Sequence, residues 1–311
     1  MFIYWLKKIK SIVAITLLIP AIGFATQSEK KADDVLRIGY QKYGTLILLK
    51  ASGELEKRLA PLGVKVTWNE FPAGHQLLEG LNVGSIDFGT VGETPPIFAQ
   101  AANAKITYIG YKPASPKSEA IIVQKDSSIK SVADLKGKKV VLNKGSNVHY
   151  LLVKALENAG LKYSDIETVF LAPADARAAF ERGSVDAWVI WDPFLAAAET
   201  SIGAKVLKDG TNTVNNHQFY LAEESYASKR PDVVAIIFEE LKKVNDWAIS
   251  KPKEVANALA PLTGLDVVTL EKALSRGGYG INYLNNNVIT EQQKIADTFY
   301  DLKLIPKKID I

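Results

Sequence analysis

Strand-length apolar runs alternate with helix-length segments through residues 35–111, stop, and then start again. The first set predicts strands at 35–40, 64–71, 86–90 and 106–111, with helices over 45–59, 74–83 and 95–103. Parallel neighbours need a crossover between them, so this rhythm predicts a largely parallel sheet covered by helices. The stretch KPASPKSEA (112–120) breaks it. A second set follows, with strands at 120–124, 139–142, 168–171 and 185–190 and helices over 131–137, 174–181 and 193–200. Its clearest helix carries Val148, Leu151, Leu152, Ala155, Leu156 and Ala159 on one face. A second break, DGTNTVNNH (209–217), precedes a strand at 219–222 and a mostly helical tail. In the tail, Val234, Ile237, Phe238, Leu241 and Val244 mark one long helix, with others near 253–260, 266–275 and 291–302. Returning the tail to the first set makes the second set an insertion between two crossovers. The expected architecture is an α/β two-lobe clamp, each lobe a mainly parallel sheet flanked by helices. Lobe one takes residues 34–117 and 218–311, and lobe two takes 118–217. Ligands of open α/β sheets sit outside the carboxyl ends of the strands, which places the site between the lobes.

One corner occurs twice. GSIDFGTVGETPP (84–96) and GSVDAWVIWDPF (183–194) each read as a helix ending in Gly-Ser, a strand carrying an Asp, and a loop entering a helix at Pro. With GYQKYGT (39–45) and NKGSNVHY (143–150) they make four strand-to-helix corners. Thr45, Thr94, Ser146 or Asn147, and Asp192 are the cap-type residues, and Pro95 and Pro193 take the first helical position. Helix starts present unpaired N–H groups and a partial positive charge, so they suit an anion without needing lysine. Gly44, Gly92 and Gly145 let a ligand approach the backbone. A single such corner is an ordinary cap; four in a two-lobe plan point to one anion gripped from both sides. Tyr40, Tyr43, Tyr150, Trp188 and Trp191 lie near these corners, and Trp191, beside the last of them, can wall an apolar tail or belong to the core. Glu93 and Asp192 are either caps or partners for a ligand amine, and Arg276 is the residue that would offset them.

Other classes find little support. Lys7, Lys8 and Lys10, the apolar run to Phe24 and the small-x-small exit at 23–25 make residues 1–25 a secretory signal peptide. That leader holds three lysines and no acid. The whole-chain balance of 38 basic against 34 acidic residues therefore becomes 38 − 3 = 35 against 34, or +1. No basic surplus remains to attract nucleic acid. There is no cysteine, hence no disulfide and no lipid-bearing thiol after the leader, and the periplasm is the expected compartment. His75, His149 and His217 lack metal-type spacing, no nucleophile elbow or P-loop occurs, and RGGYG lacks the third glycine of a dinucleotide loop. No catalytic residue, metal or cofactor is expected.

The segments GYQKYGTLILLKASGELEKRLAPLGVKVTWNEF, LLEGLNVGSIDFGTVGETPPIFAQAA, SVADLKGKKV, PADARAAFERGSVDAWVIWDPF and QQKIADTFYDLKLIPK closely resemble the periplasmic aliphatic sulfonate-binding proteins of ABC importers, over nearly the whole chain from Val35. The resemblance implies the type II periplasmic binding protein fold, an organic sulfonate as ligand, and delivery to a membrane permease with a cytoplasmic ATPase in sulfur acquisition. Carried over by position, it implicates Gln41, Thr45, Gly92, Thr94, Ser146, Asn147 and Trp191, with Asp192 and Arg276 beside them. Glu93 lies inside a corner that takes more than one form in the family, which leaves taurine, nitrate or a thiamine-precursor pyrimidine as alternative ligands. A cleft enzyme on the same fold is the alternative of a different class.

Overall fold

The computed structural model describes residues 34–311; the signal peptide expected at 1–25 lies outside the described residues. The first stretch runs β1 (Asp34–Tyr40), α1 (Thr45–Ser52), α2 (Glu54–Leu59), β2 (Val64–Glu70), α3 (Gly74–Asn82), β3 (Phe88–Gly92), α4 (Pro95–Ala101) and β4 (Ile106–Lys112). The second runs β5 (Glu119–Val123), β6 (Lys139–Leu142), α5 (Asn147–Asn158), β7 (Glu167–Phe170), α6 (Pro173–Glu181), β8 (Ala187–Trp191), α7 (Phe194–Ile202) and β9 (Lys205–Asp209). The tail runs β10 (Gln218–Glu223), α8 (Glu224–Lys229), α9 (Pro231–Ser250), α10 (Pro252–Thr263), α11 (Val267–Leu274) and α12 (Asn286–Asp301).

Among the described residues the strands form two five-stranded sheets, ordered β2-β1-β3-β10-β4 and β7-β6-β8-β5-β9. The two orders are equivalent. In each, three parallel strands lie beside one reversed strand, and a fifth closes the edge. The reversed strand is the first one laid down after a crossover: β5 on leaving the first lobe and β10 on returning to it. Both crossovers start at the cleft, where the parallel strands end. A chain entering a sheet from that side must run against its neighbours, so each sheet is mixed with four strands in one direction.

Packing divides in the same way. In the first lobe, β1, α1, α9 and α10 enclose one apolar cluster that includes Leu36, Ile38, Leu46, Ile237 and Val255, while α3 covers the other face of the sheet. In the second lobe, α5 covers one face and α6 with α7 the other. The tail thus supplies helices to the first sheet.

Several local expectations shift for identifiable reasons. The helix expected over 45–59 breaks into α1 and α2 at Gly53, which takes a left-handed conformation (φ 63°) and donates its N–H back to Lys50. Strands β3 and β8 both begin later than expected. Ser85 and Ser184 donate their amides to Gly80 and Ala179, finishing the preceding helix, and so hold Ile86 and Val185 in a turn. The twin corners also share their hydrogen bonds. Asp87 donates its N–H to Arg37 and accepts the Arg37 N–H at 2.7 Å; Asp186 does the same with Lys139, accepting at 2.8 Å. The edge strand β9 is unanticipated: Lys205 and Lys208 mark it as an edge blunted by charge, which hides strand character.

Candidate functional site

The four corners open on a single cavity of about 100 Å³ between the sheets. Gln41, Tyr43 and Gly44 line it from the first corner, Gly92 and Pro95 from the second, Ser146 and Asn147 from the third, and Trp191, Asp192 and Pro193 from the fourth. The two crossovers add Lys112, Ser115, Ser118, Glu119, Asn216 and Gln218, and an apolar side comes from Ile47 and Leu48 of α1, Leu259 of α10, Leu270 and Leu274 of α11, and Tyr279. The crossovers are bonded to each other. Ser115 donates its N–H to Asn215 and its hydroxyl to Asn216, and the Asn216 amide donates back to Ser115 and to the Ser118 hydroxyl, all at 3.0 Å.

The corners differ in what they offer. At the first, the Gln41 amide donates to the Thr90 carbonyl at 3.2 Å, and Gly44 adopts φ 79° to admit the chain into α1. The Thr45 hydroxyl, expected in the site, instead bonds Tyr220 in the lobe core; only the turn before it reaches the cavity. The second corner departs most from expectation. Pro95 and Pro96 carry no N–H, and the Thr94 N–H is taken by Asn147 Oδ1 at 3.1 Å. This helix start latches one lobe to the other and has little left to give an anion; the Thr94 hydroxyl is buried without a partner. Asn147 completes the latch by donating to Asn216 Oδ1 at 2.5 Å and to the His217 carbonyl at 3.3 Å. At the third corner the Ser146 hydroxyl donates to the Asn143 carbonyl at 2.6 Å. At the fourth, α7 begins at Phe194, one residue later than expected, and Asp192 Oδ1 accepts the Ala196 N–H at 2.9 Å.

The carboxylates sort into three situations. Glu93 does not face the cavity: its two oxygens accept the backbone N–H groups of Asn216 and His217 at 3.2 and 2.7 Å, so it holds the second crossover in place. Burial outweighs those donors and pushes its carboxyl up to about 8. Asp192 lines the cavity, and burial pushes it up to about 7 although Arg276 Nη1 lies 3.5 Å from Oδ1. Arg276 is chiefly engaged by Glu199 at 2.5 Å, an ion pair from the tail to α7 that joins the lobes outside the cavity. Glu119 is fully buried, lines the cavity, and has no protein donor on either oxygen; burial raises it well above the usual carboxylate range.

Sequence reasoning missed Glu119 and Lys112, the two charges that matter most. Lys112 is 4% exposed, and burial lowers its ammonium to about 8. Its Nζ donates to Gln218 Oε1 at 3.2 Å and lies 5.8 Å from the centre of the Tyr279 ring, with no carboxylate paired to it. Both residues sit at the ends of the segment YKPASPKSE, which reads as a solvated linker. The available signal was position: a lysine closing the apolar strand ITYIGYK and a glutamate opening EAIIV sit at strand ends that face the cleft. Of the aromatics, Tyr43 and Trp191 stand together at the cavity with ring centres 6.3 Å apart, whereas Trp188 is in the core of the second lobe. Among the described residues, no group of three His, Asp or Glu is placed to hold a metal ion.

The raised carboxyls make a pH prediction. A group whose folded pKa lies above its unfolded value binds protons preferentially in the folded state. Its stabilising contribution is complete below the unfolded value and is lost as pH rises through the folded one. Glu93 at about 8 and Asp192 at about 7 therefore remove stability between about pH 5 and about pH 8. Lys112, depressed to about 8, has the opposite effect only above that window. The Tm of the ligand-free protein is expected to fall by at least about 5 °C from pH 5 to pH 8. A Tm that rises across the window would show these acids ionised in the fold.

The chain matches the family model described as "NMT1/THI5 like" over residues 60–255. It is 45% identical to an aliphatic sulfonates-binding protein of Escherichia coli K12 over 301 residues, covering 96% of this chain and 93% of that one. Among solved structures it resembles the alkanesulfonate-binding protein SsuA of Xanthomonas axonopodis pv. citri bound to MOPS, with a TM-score of 0.84 and 40% identity. That match covers 89% of this chain and 96% of the other. It also resembles the periplasmic aliphatic sulphonate binding protein SsuA of Escherichia coli, with a TM-score of 0.82, 46% identity and coverage of 89% and 90%.

Proposed function

Because the chain belongs to the NMT1/THI5-like family, and within it to the aliphatic sulfonate-binding proteins, we propose that it captures an organic sulfonate between its lobes in the periplasm and hands it to the membrane permease and cytoplasmic ATPase of an ABC importer. The observation that carries the reading is Lys112, a buried ammonium with no carboxylate partner, facing a cavity on which both lobes converge. A sulfonate is ionised at any physiological pH, so it needs charge and N–H donors and no proton. Lys112, the amides of Gln41 and Gln218, and the start of α5 at Ser146 and Asn147 surround the place for that head group. Tyr43 and Trp191 flank the tail. Residues 34–117 with 218–311 and residues 118–217 act as the two moving bodies. A ligand that touches both favours the closed arrangement over the open one, which is how binding becomes closure.

Calorimetric titration of the mature protein with short alkane- and aminoalkanesulfonates, with sulfate and nitrate as comparators, tests this. At least one sulfonate is expected to bind with micromolar or tighter affinity, about −8 kcal/mol, and the inorganic anions weakly. Heat from sulfate or nitrate alone, or from none of them, would overturn the sulfonate assignment.

A further inference from the structure

The cavity holds charge of both signs. Lys112 Nζ stands on the first crossover with the neutral Gln218 amide as its hydrogen-bond partner. Glu119, seven positions further on, opens β5 with both carboxylate oxygens buried and without a donor. A buried charge persists only where a partner charge or a proton compensates it. A simple anion would repel Glu119 if it is ionised, or take a single hydrogen bond from it if it is protonated, and an apolar tail would leave both oxygens unpaired. A nitrogen cation supplies both the charge and the donors. Of the neighbouring acids, Glu93 is engaged by the two amides of the second crossover; Asp192 Oδ1 takes Ala196 and Arg276 while its Oδ2 is also buried without a partner, so it differs from Glu119 in having a guanidinium beside it. Tyr43 and Trp191, lining the same cavity, add ring faces of the kind that receive a desolvated cation.

We propose that the cavity takes a zwitterion, an aminoalkanesulfonate whose sulfonate rests on Lys112 and whose protonated nitrogen is held by Glu119. The assignment rests on the sulfonate reading above and names the substrate class within it. Glu119 is the residue that selects for the nitrogen. Because burial favours the protonated carboxyl, seating an ammonium against it drives that proton out to solvent. Binding of the zwitterion therefore releases a proton, and binding of a plain alkanesulfonate does not.

The test compares 3-aminopropanesulfonate with butane-1-sulfonate, which differ at the chain end by ammonium for methyl, by calorimetry on the full mature protein and on E119Q. The wild-type protein is expected to bind the amine at least about tenfold more tightly, and E119Q to bring the two ligands to parity. Titrations in buffers of different ionisation enthalpy are expected to show proton release for the amine only, a readout that needs no variant. Tight binding of butane-1-sulfonate with weak binding of the amine would overturn the zwitterion and leave the sulfonate receptor standing. An amine preference that survives in E119Q, or amine binding without proton release, would remove Glu119 from the role. Binding of neither ligand would overturn the zwitterion, and the sulfonate reading falls with it only if no other sulfonate of the series above binds.

Discussion

K112M is expected to weaken sulfonate binding at least about a hundredfold and, at the same time, to raise the melting temperature of the ligand-free protein. Losing a charge-assisted contact in a desolvated site costs about 2–5 kcal/mol, and a hundredfold corresponds to about 2.7 kcal/mol. Methionine keeps most of the aliphatic stem and removes the ammonium. The stability gain follows from the same burial. The folded ammonium titrates at about 8 against an ordinary value of 10.5, so at neutral pH the fold bears a desolvation cost on the order of 3 kcal/mol. K112M removes that cost and leaves Gln218 Oε1 without its donor, for a net rise of about 5 °C. In wild type the same cost fades as pH climbs from about 8 toward 10.5, because the unfolded chain then holds the extra proton. Calorimetry and thermal melts on one preparation read both effects. Undiminished affinity in K112M would take Lys112 out of the site.

G92A is expected to separate folding from closure. Gly92 ends β3 outside the left-handed region, so its backbone accepts alanine. A Cβ there would nevertheless overlap the Asn147 side chain of the opposite lobe. The conflict exists only when the lobes are together, so the ligand-free Tm is expected to stay within about 2 °C of wild type. Affinity falls because the closed state no longer forms without displacing the Asn147 latch to Thr94, Asn216 and His217. A loss of at least about thirtyfold is expected, roughly 2 kcal/mol. Small-angle scattering of the ligand-saturated variant should keep the larger radius of the open form. Adding N147G to G92A removes the steric conflict but also the latch, so it is expected to recover compaction only in part, a non-additive effect diagnostic of direct contact. Unchanged affinity in G92A would mean that Asn147 moves aside at no cost and that the latch does not govern closure.

Much of the fold was legible because burial imposes periodicity. The helix marked by Val148, Leu151, Leu152, Ala155 and Leu156 is α5, with each of these residues buried. Where local pattern and tertiary bonding compete, the pattern misleads. Ile86 and Val185 look like strand residues, but they are buried in the turns that finish α3 and α6. The site was legible in part for a similar reason. Caps and prolines announce where helices begin, and the four beginnings meet at one cavity. What each beginning offers depended on partners far along the chain. Thr94 looked like an anion donor until Asn147, from the other lobe, took its N–H. Lys112 and Glu119 were illegible because a charged residue in a Pro- and Ser-rich segment is exposed by default. Only the pairing of two distant crossovers encloses them.

That pairing has a mechanical consequence. On the lobe movement proposed above, the charged groups that would meet the ligand, on residues 112–119, and their amide neighbours, on 216–218, stand on the two connections about which the lobes would turn. Other contacts join the lobes away from the crossovers: His75 to the Lys144 carbonyl at 2.9 Å, Thr200 to Thr269 at 2.8 Å, and the Phe299 ring against His149. An adjustment at the crossovers would be carried to those contacts as relative movement of the lobes. Grip and travel are therefore set by different residues. Two ligands held with equal strength, but differing in the spacing of their charges, would leave those contacts at different separations, and a transporter that inspects them could accept one cargo and refuse the other.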